Sequence, residues 1–311
     1  MEVVGEVDGL KVYSDGSLQR HESSTLPASP HFTDGVASKD VVINQKTSVW
    51  ARIFKPETAA QILPLLIYFH GGGFLTAPVS IQHPDCTIDH TLPLTGSTKD
   101  VETVNFLCKV CKNADVMIVS VDYRLAWTHP LPTAYDDCTE AVKWTAKSPD
   151  EWLLPSVVDF KRCFLGGVSA GANIVHNVGL RVAGVDMSPL VVKGMICIHP
   201  FFGGEKKLAN EDPVIFELVC KPIWWMVLPQ GSTRDHPFCN PTVSTPKPAL
   251  KLPPVLVALA GMDELKWRGD MFYNHLKKSG KEAERMMDKN ASHACYTQHL
   301  IDTISEFIKC H

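Results

Sequence analysis

Apolar and polar positions along the chain follow two rhythms that alternate. Near-continuous apolar runs occupy Leu63–Phe69, Asp115–Tyr123, Cys163–Val168, Val192–His199 and Pro254–Gly261. Each has the length of a buried strand. Between them, Ala134–Lys147, Ala170–Val182, Lys266–Lys278 and Tyr296–Lys309 space their apolar residues by three and four, the mark of a helix with one buried face. Val101–Lys112 has the same helical look, and Val41–Pro56 reads as a strand or hairpin. A strand without a polar face must be covered on both sides, and helices between consecutive strands supply that cover. The pattern predicts an α/β fold with a mostly parallel central sheet, helices on both faces, and one domain spanning residues 1–311.

Three regions break the alternation. Residues 1–40 are polar and turn-rich, 75–103 read as a long loop, and 205–237 are aromatic and apolar (Phe216, Trp224, Trp225, Met226) without strand character. In doubly wound folds such additions gather above the carboxyl ends of the strands, where ligands bind. Residues 1–40 and 205–237 are therefore expected to form a small cap.

Composition narrows the function classes. A chain of 311 residues with 45% apolar content can bury a large core, which excludes a disordered chain. Thirty Lys and Arg against 34 Asp and Glu leave a net charge of −4, so no nucleic-acid partner is expected. No apolar run reaches membrane-span length, and no membrane partner is expected either. Ten scattered cysteines, with no signal-peptide pattern in residues 1–9, read as reduced thiols of a cytoplasmic protein. Oligomeric state is left open.

Candidate chemistry sits at the ends of the strands. Gly167, Val168, Ser169, Ala170 and Gly171 make a G-x-S-x-G between a strand and a helix, where a sharp turn would project Ser169. The bland alternative is a serine that caps the helix. His70, Gly71, Gly72, Gly73 and Phe74 follow another strand, and consecutive glycines expose the backbone N–H groups that a developing oxyanion needs. Gly71, Gly72 and Ala170 are the expected donors. Asp263 lies just past the strand Pro254–Gly261, and His293 precedes the last helix. The order Ser169, Asp263, His293 is that of nucleophile, acid and base in α/β-hydrolases.

With these motifs the chain resembles plant carboxylesterases, a branch of the hormone-sensitive-lipase-like α/β-hydrolases related to the gibberellin receptors. The resemblance runs nearly end to end: Val12–Gly16, Thr33–Asp40, His70–Phe74, Val121–Ala126, Leu131–Asp137, Gly167–Asn173, His199–Gly203 and Asp235–Pro241. It implies ester hydrolysis of a small-molecule substrate without cofactor or metal. By it Ser169 is the nucleophile, His293 the general base and Asp263 its partner, with Gly71, Gly72 and Ala170 as the oxyanion hole. Val168 replaces the family's usual acid at the elbow. Ala126, Trp127, Thr128 and His129 stand where Ala-Pro-Glu-His is usual, Cys295 replaces an aromatic, and the loop between Phe74 and Val116 is longer than usual.

Two other functions fit the same resemblance: a non-catalytic small-ligand receptor of the gibberellin-receptor kind, which lacks the histidine, and a dehydratase or cyclase of specialised metabolism. Cys108 and Cys111 match C-x-x-C, but on a helix they share a face without further ligands. His83, Cys86 and His90 match no common zinc spacing. Asp122, Arg124 and Asp136 are expected to form a structural polar network.

Overall fold

The computed structural model describes residues 25–58, 62–75, 97–243 and 251–311 with their side chains (Leu218 by backbone alone), and strand pairing only for 3–7, 10–13, 18–20, 78–83 and 86–93. Among the described residues, β1 (Val3–Val7), β2 (Leu10–Tyr13) and β3 (Leu18–Arg20) pair antiparallel in a sheet of their own. β4 (Val36–Asn44), β5 (Val49–Pro56) and β6 (Leu63–Phe69) belong to the main sheet, whereas β7 (Pro78–His83) and β8 (Cys86–Pro93) pair with each other. β9 (Met117–Asp122), β10 (Val158–Val168), β11 (Val192–Ile198), β12 (Val255–Ala260) and β13 (Ala283–Asp288) complete the main sheet. The helices are α1 (Val101–Ala114), α2 (Thr133–Thr145), α3 (Ala170–Val182), the single turn α4 (Pro213–Ile215), α5 (Lys221–Val227), α6 (Lys266–Lys278) and α7 (Gln298–Cys310), with a π-helical turn at Phe216–Cys220 joining α4 to α5.

The main sheet runs β13-β12-β11-β10-β6-β9-β5-β4. The six strands from β13 to β9 are parallel; β5 and β4 add an antiparallel edge. Side-chain alternation explains the continuous apolar runs. Leu65, Ile67 and Phe69 of β6, with Val255, Val257 and Leu259 of β12, point into a core layer shared with α2, α3 and α6. Leu66, Tyr68, Leu256 and Ala258 point the other way, into a layer roofed by α1 and α7. Both faces are covered, and the few polar side chains buried there are paired, as Ser120 with Thr98 and Arg52 with Asp40.

Three expectations need correction. β4 takes in Val36–Asp40, which the sequence reading had assigned to the cap. Residues 75–103 are not one loop: they contain the β7–β8 hairpin and the start of α1. β13 was missed because Ala283–Asp288 carries Glu284, Arg285 and Asp288 on a half-exposed edge strand, where polar side chains are admissible.

The connections place the site. From β6 the chain crosses to β9 on one side, then returns past β6 to β10 on the other. The segments leaving β6 and β10 therefore meet at the point where the order reverses, the usual ligand position in such sheets.

Candidate active site

Ser169 follows the last residue of β10 and precedes α3, with φ 55° and ψ −117°. For a non-glycine residue this backbone is strained, by about 1–3 kcal/mol. The strain survives because both sides of the residue are tied down. Its N–H donates to the Ile198 carbonyl at 2.8 Å, and its own carbonyl accepts from Phe201 and Ala172 at 3.1 and 3.0 Å. Its hydroxyl makes no capping bond to α3, which removes the helix-cap alternative. The flanking glycines are required by close approach. A Cβ on Gly171 would stand 2.0 Å from the Phe69 carbonyl oxygen, and one on Gly167 would stand 2.5 Å from the Gly171 backbone. Asn173 anchors the first turn of α3: its amide donates to the Phe201 and Phe238 carbonyls, and its oxygen accepts from Tyr135 at 2.7 Å.

The glycine loop lies against this elbow. A Cβ on Gly71 would meet the Val168 carbonyl at 3.2 Å and Ser169 Cβ at 3.5 Å. Gly72, Gly73 and Phe74 all have positive φ. His70 is buried, donates from Nδ1 to the Gly71 carbonyl at 2.8 Å and stacks on Tyr123 at 4.3 Å, while the Tyr123 hydroxyl donates to the His70 carbonyl. Burial pulls the His70 pKa down, although Asp122 opposes this. The carbonyls of the loop are thus engaged. Among the described residues no backbone carbonyl accepts from the N–H groups of Gly71 or Gly72. Ala170, first residue of α3, has no acceptor within its helix.

Asp263 and His293 are brought together from the segments after β12 and β13. Asp263 is buried; its carboxylate accepts from the Leu265 N–H at 2.8 Å and from His293 Nδ1 at 2.7 Å. Burial alone would raise the Asp263 pKa. Attraction to His293 and the hydrogen bonds from His293 and Leu265 outweigh it and hold the carboxyl below its ordinary value. A carboxylate only accepts, so Nδ1 carries the proton and the lone pair of the neutral ring is on Nε2. That is the tautomer of a general base.

Sequence reasoning singled out neither His199 nor its role. Its ring centre lies 5.9 Å from that of His293, and its Nδ1 accepts the Ala294 N–H at 3.1 Å. Burial, with His293 adding to it, lowers its pKa to about 4, so the ring is neutral at physiological pH. Its one sequence signal is a histidine directly after an apolar strand, at a point where burial continues through residues 200–204. His199, Asp263 and His293 could present three metal-ligand atoms within 4.8 Å of one another. Each already has a hydrogen-bonding partner inside the protein.

Other sequence candidates separate from this site. Cys111 is buried in α1 and Cys108 partly so, and burial raises both thiol pKa values, the opposite of reactive thiols. The nine described cysteines are free. His83, Cys86 and His90 lie outside the residues described with side chains. Arg124 pairs with Asp137 at 2.6 Å rather than with Asp136, which binds Arg181 instead, and Asp122 stands 3.9 Å from His70. The segment 205–237 packs by Trp224 stacked on Phe201 and tilted against Phe74. Buried Arg268 of α6 holds it, donating to Glu211 and to the carbonyls of Gly203 and Lys206. A small, partly open pocket lies there, lined by Phe216, Trp224, Glu211 and Arg268, and Ser169 is not part of its wall.

Strand order, elbow and glycine loop define the α/β-hydrolase class, and the profile of the alpha/beta hydrolase fold matches residues 96–297. The chain is 39% identical over 248 residues to carboxylesterase 20 of Arabidopsis thaliana, covering 74% of this chain and 69% of that one. It is 35% identical to 2-hydroxyisoflavanone dehydratase of Glycyrrhiza echinata, covering 87% and 82%. It is 34% identical to the chloroplastic tuliposide A-converting enzyme 1 of Tulipa gesneriana, covering 95% and 73%. In three dimensions it matches a thermostable esterase of Pseudomonas putida with a TM-score of 0.69 at 18% identity, over 89% of this chain and 83% of that one, a likeness of fold. The chain belongs to the plant carboxylesterase family of hormone-sensitive-lipase-like α/β hydrolases. No helix among the described residues is long and apolar enough to cross a membrane.

Proposed function

We propose that the protein is a serine carboxylesterase that cleaves small carboxylic esters through an acyl-enzyme. Ser169 attacks the ester carbonyl carbon while His293 Nε2 takes its proton. The carbonyl oxygen becomes an oxyanion that accepts hydrogen bonds from Gly71, Gly72 and Ala170. On collapse, His293 returns the proton to the departing alkoxide, and Ser169 keeps the acyl group. Water then repeats the sequence, with His293 as base, and releases the acid. Asp263 holds the imidazole in its tautomer and stabilises the imidazolium that forms twice in each cycle.

The observation that carries this reading is the 2.7 Å hydrogen bond from His293 Nδ1 to buried Asp263. A receptor that has abandoned chemistry has no use for a buried, oriented base. A second reading, elimination of water from a specialised metabolite, draws on the dehydratase relative and can use the same serine, histidine and oxyanion hole. Val168, where relatives of the resembled family carry an acid, is buried and puts no charge beside the elbow. We read 205–237 as a cap over a site of moderate size, with exposed Trp127 and Cys295 at its mouth. We place the protein in the cytosol on its free thiols, and imaging of a fluorescent fusion checks this.

Purified protein is treated with paraoxon and assayed on p-nitrophenyl acetate. One adduct on the peptide containing Gly167–Gly171, together with a loss of about 10⁴-fold in kcat for Ser169→Ala, is expected. Full turnover by the alanine variant, or an adduct elsewhere, overturns the assignment. Release of water from an intact carbon skeleton, with no acid formed, selects the dehydratase reading.

A further inference from the structure

We infer that His199 is a positioning residue that ties the three segments bearing Ser169, Asp263 and His293 into one unit. The inference rests on the proposed roles of those three. Ser169 donates its N–H to the carbonyl of Ile198, the residue before His199. The N–H of His199 donates to the Ala258 carbonyl of β12 at 2.8 Å, the strand that leads to Asp263. Its ring Nδ1 accepts the N–H of Ala294, the residue after His293, at 3.1 Å. One residue thus bonds to, or adjoins a bond to, all three segments.

Both ends of the ring's hydrogen bond are strained. His199 has φ 44° and Ala294 φ 54°, left-handed backbone that neither residue adopts without outside support. The Ala294 turn directs His293 towards Asp263, and the bond to His199 holds that turn. Because Nδ1 accepts, the proton of the neutral ring is on Nε2, and a protonated ring would lose the bond to Ala294. Burial keeps the ring neutral while His293 charges beside it. The charged and titratable groups facing His199 are His293, Asp263 and Asp288. Removing its Nδ1 acceptor should therefore loosen His293 without touching substrate.

Two substitutions separate this role from packing. Asparagine places an amide oxygen near the position of Nδ1 and can still accept from Ala294, whereas glutamine carries its amide outward towards Nε2. His199→Gln is expected to lower kcat on p-nitrophenyl acetate by about 100-fold with KM little changed, since small misplacements of a catalytic group cost that much. The pH at half-maximal kcat/KM should move down, because a loosened pair stabilises the imidazolium less. His199→Asn should stay within about 5-fold of the parent, with the parent's pH profile. His199→Leu replaces the glutamine variant if that one does not fold.

The downfield proton resonance of the His293–Asp263 hydrogen bond gives a readout independent of turnover. It should persist in the asparagine variant and broaden or vanish in the glutamine or leucine variant. Equal losses in folded Asn and Gln variants, or an unchanged pH profile and resonance in the Gln variant, overturn the role of His199. If Ser169 is not the nucleophile, turnover survives Ser169→Ala while the resonance still reports on His199, so the two failures are distinguishable.

Discussion

Acid should destabilise this protein through His176, a residue apart from the chemistry. His176 lies on α3, packed edge-on against Phe202 and Phe272, with no hydrogen-bond partner for its Nδ1 among the described residues. Burial, with a smaller contribution from His275, lowers its pKa to about 3. The unfolded chain takes up this proton below about pH 6.5, whereas the folded chain refuses it until about pH 3. Folded stability therefore falls as pH drops through that window, by about 1.4 kcal/mol per pH unit, or about 2 kcal/mol at pH 5. His176→Leu removes the titration and keeps a side chain of similar bulk. Urea unfolding of parent and variant, followed by tryptophan fluorescence at pH 8 and pH 5, isolates the effect, because His199 titrates in both proteins and cancels. The stability difference should shift by about 2 kcal/mol in favour of leucine between pH 8 and pH 5. A difference that stays the same at both pH values would refute the reasoning, since His176 would then accept its proton equally well folded and unfolded.

Gly171→Ala should abolish esterase activity, because its Cβ would lie 2.0 Å from the Phe69 carbonyl oxygen and the elbow must shift; fluorophosphonate labelling of Ser169 reads this directly, and normal labelling would contradict it. Arg268→Met leaves half-buried Glu211 without its cation and should cost about 3 kcal/mol in urea unfolding, with Glu211→Gln milder. Acetate and butyrate esters should be cleaved well and palmitate esters little, with no rate jump at emulsion interfaces. Faster hydrolysis of emulsified long chains would make the cap a lipase lid.

Much of the architecture was legible because the central strands leave no choice. A run such as Leu63–Phe69 has no polar position and can only be a strand covered on both faces, and Ala170–Val182 and Lys266–Lys278 match their helices residue for residue. The edge strand Ala283–Asp288 was illegible for the opposite reason: half its side chains meet solvent. Ion-pair partners depend on helix phase, which spacing alone leaves uncertain. Arg124 takes Asp137 because α2 turns that residue inward and leaves Asp136 facing out towards Arg181. Ser169 and the glycine loop stood out as local motifs. That Asp263 meets His293 is a tertiary fact which only chain order suggested, and His199 was marked only by its place at the end of an apolar strand, since its importance comes from bonds to two distant segments and from its neighbour's bond to a third.

The roof formed by α1 and α7 has a consequence for biosynthesis. Lys309 of α7 reaches the Asn113 carbonyl of α1 across almost two hundred residues of chain, and Arg162 of β10 reaches the carbonyl of Ile308 in α7. As the polypeptide leaves the ribosome, Leu66, Tyr68, Phe164, Ile196 and Leu256 emerge long before Leu300, Ile304 and Phe307 arrive to cover them. Through that interval the nascent chain presents a broad apolar sheet face, the kind of surface that holding chaperones bind and that crowded chains use to aggregate. α1 covers part of that face early, and the remainder waits for residues 298–310.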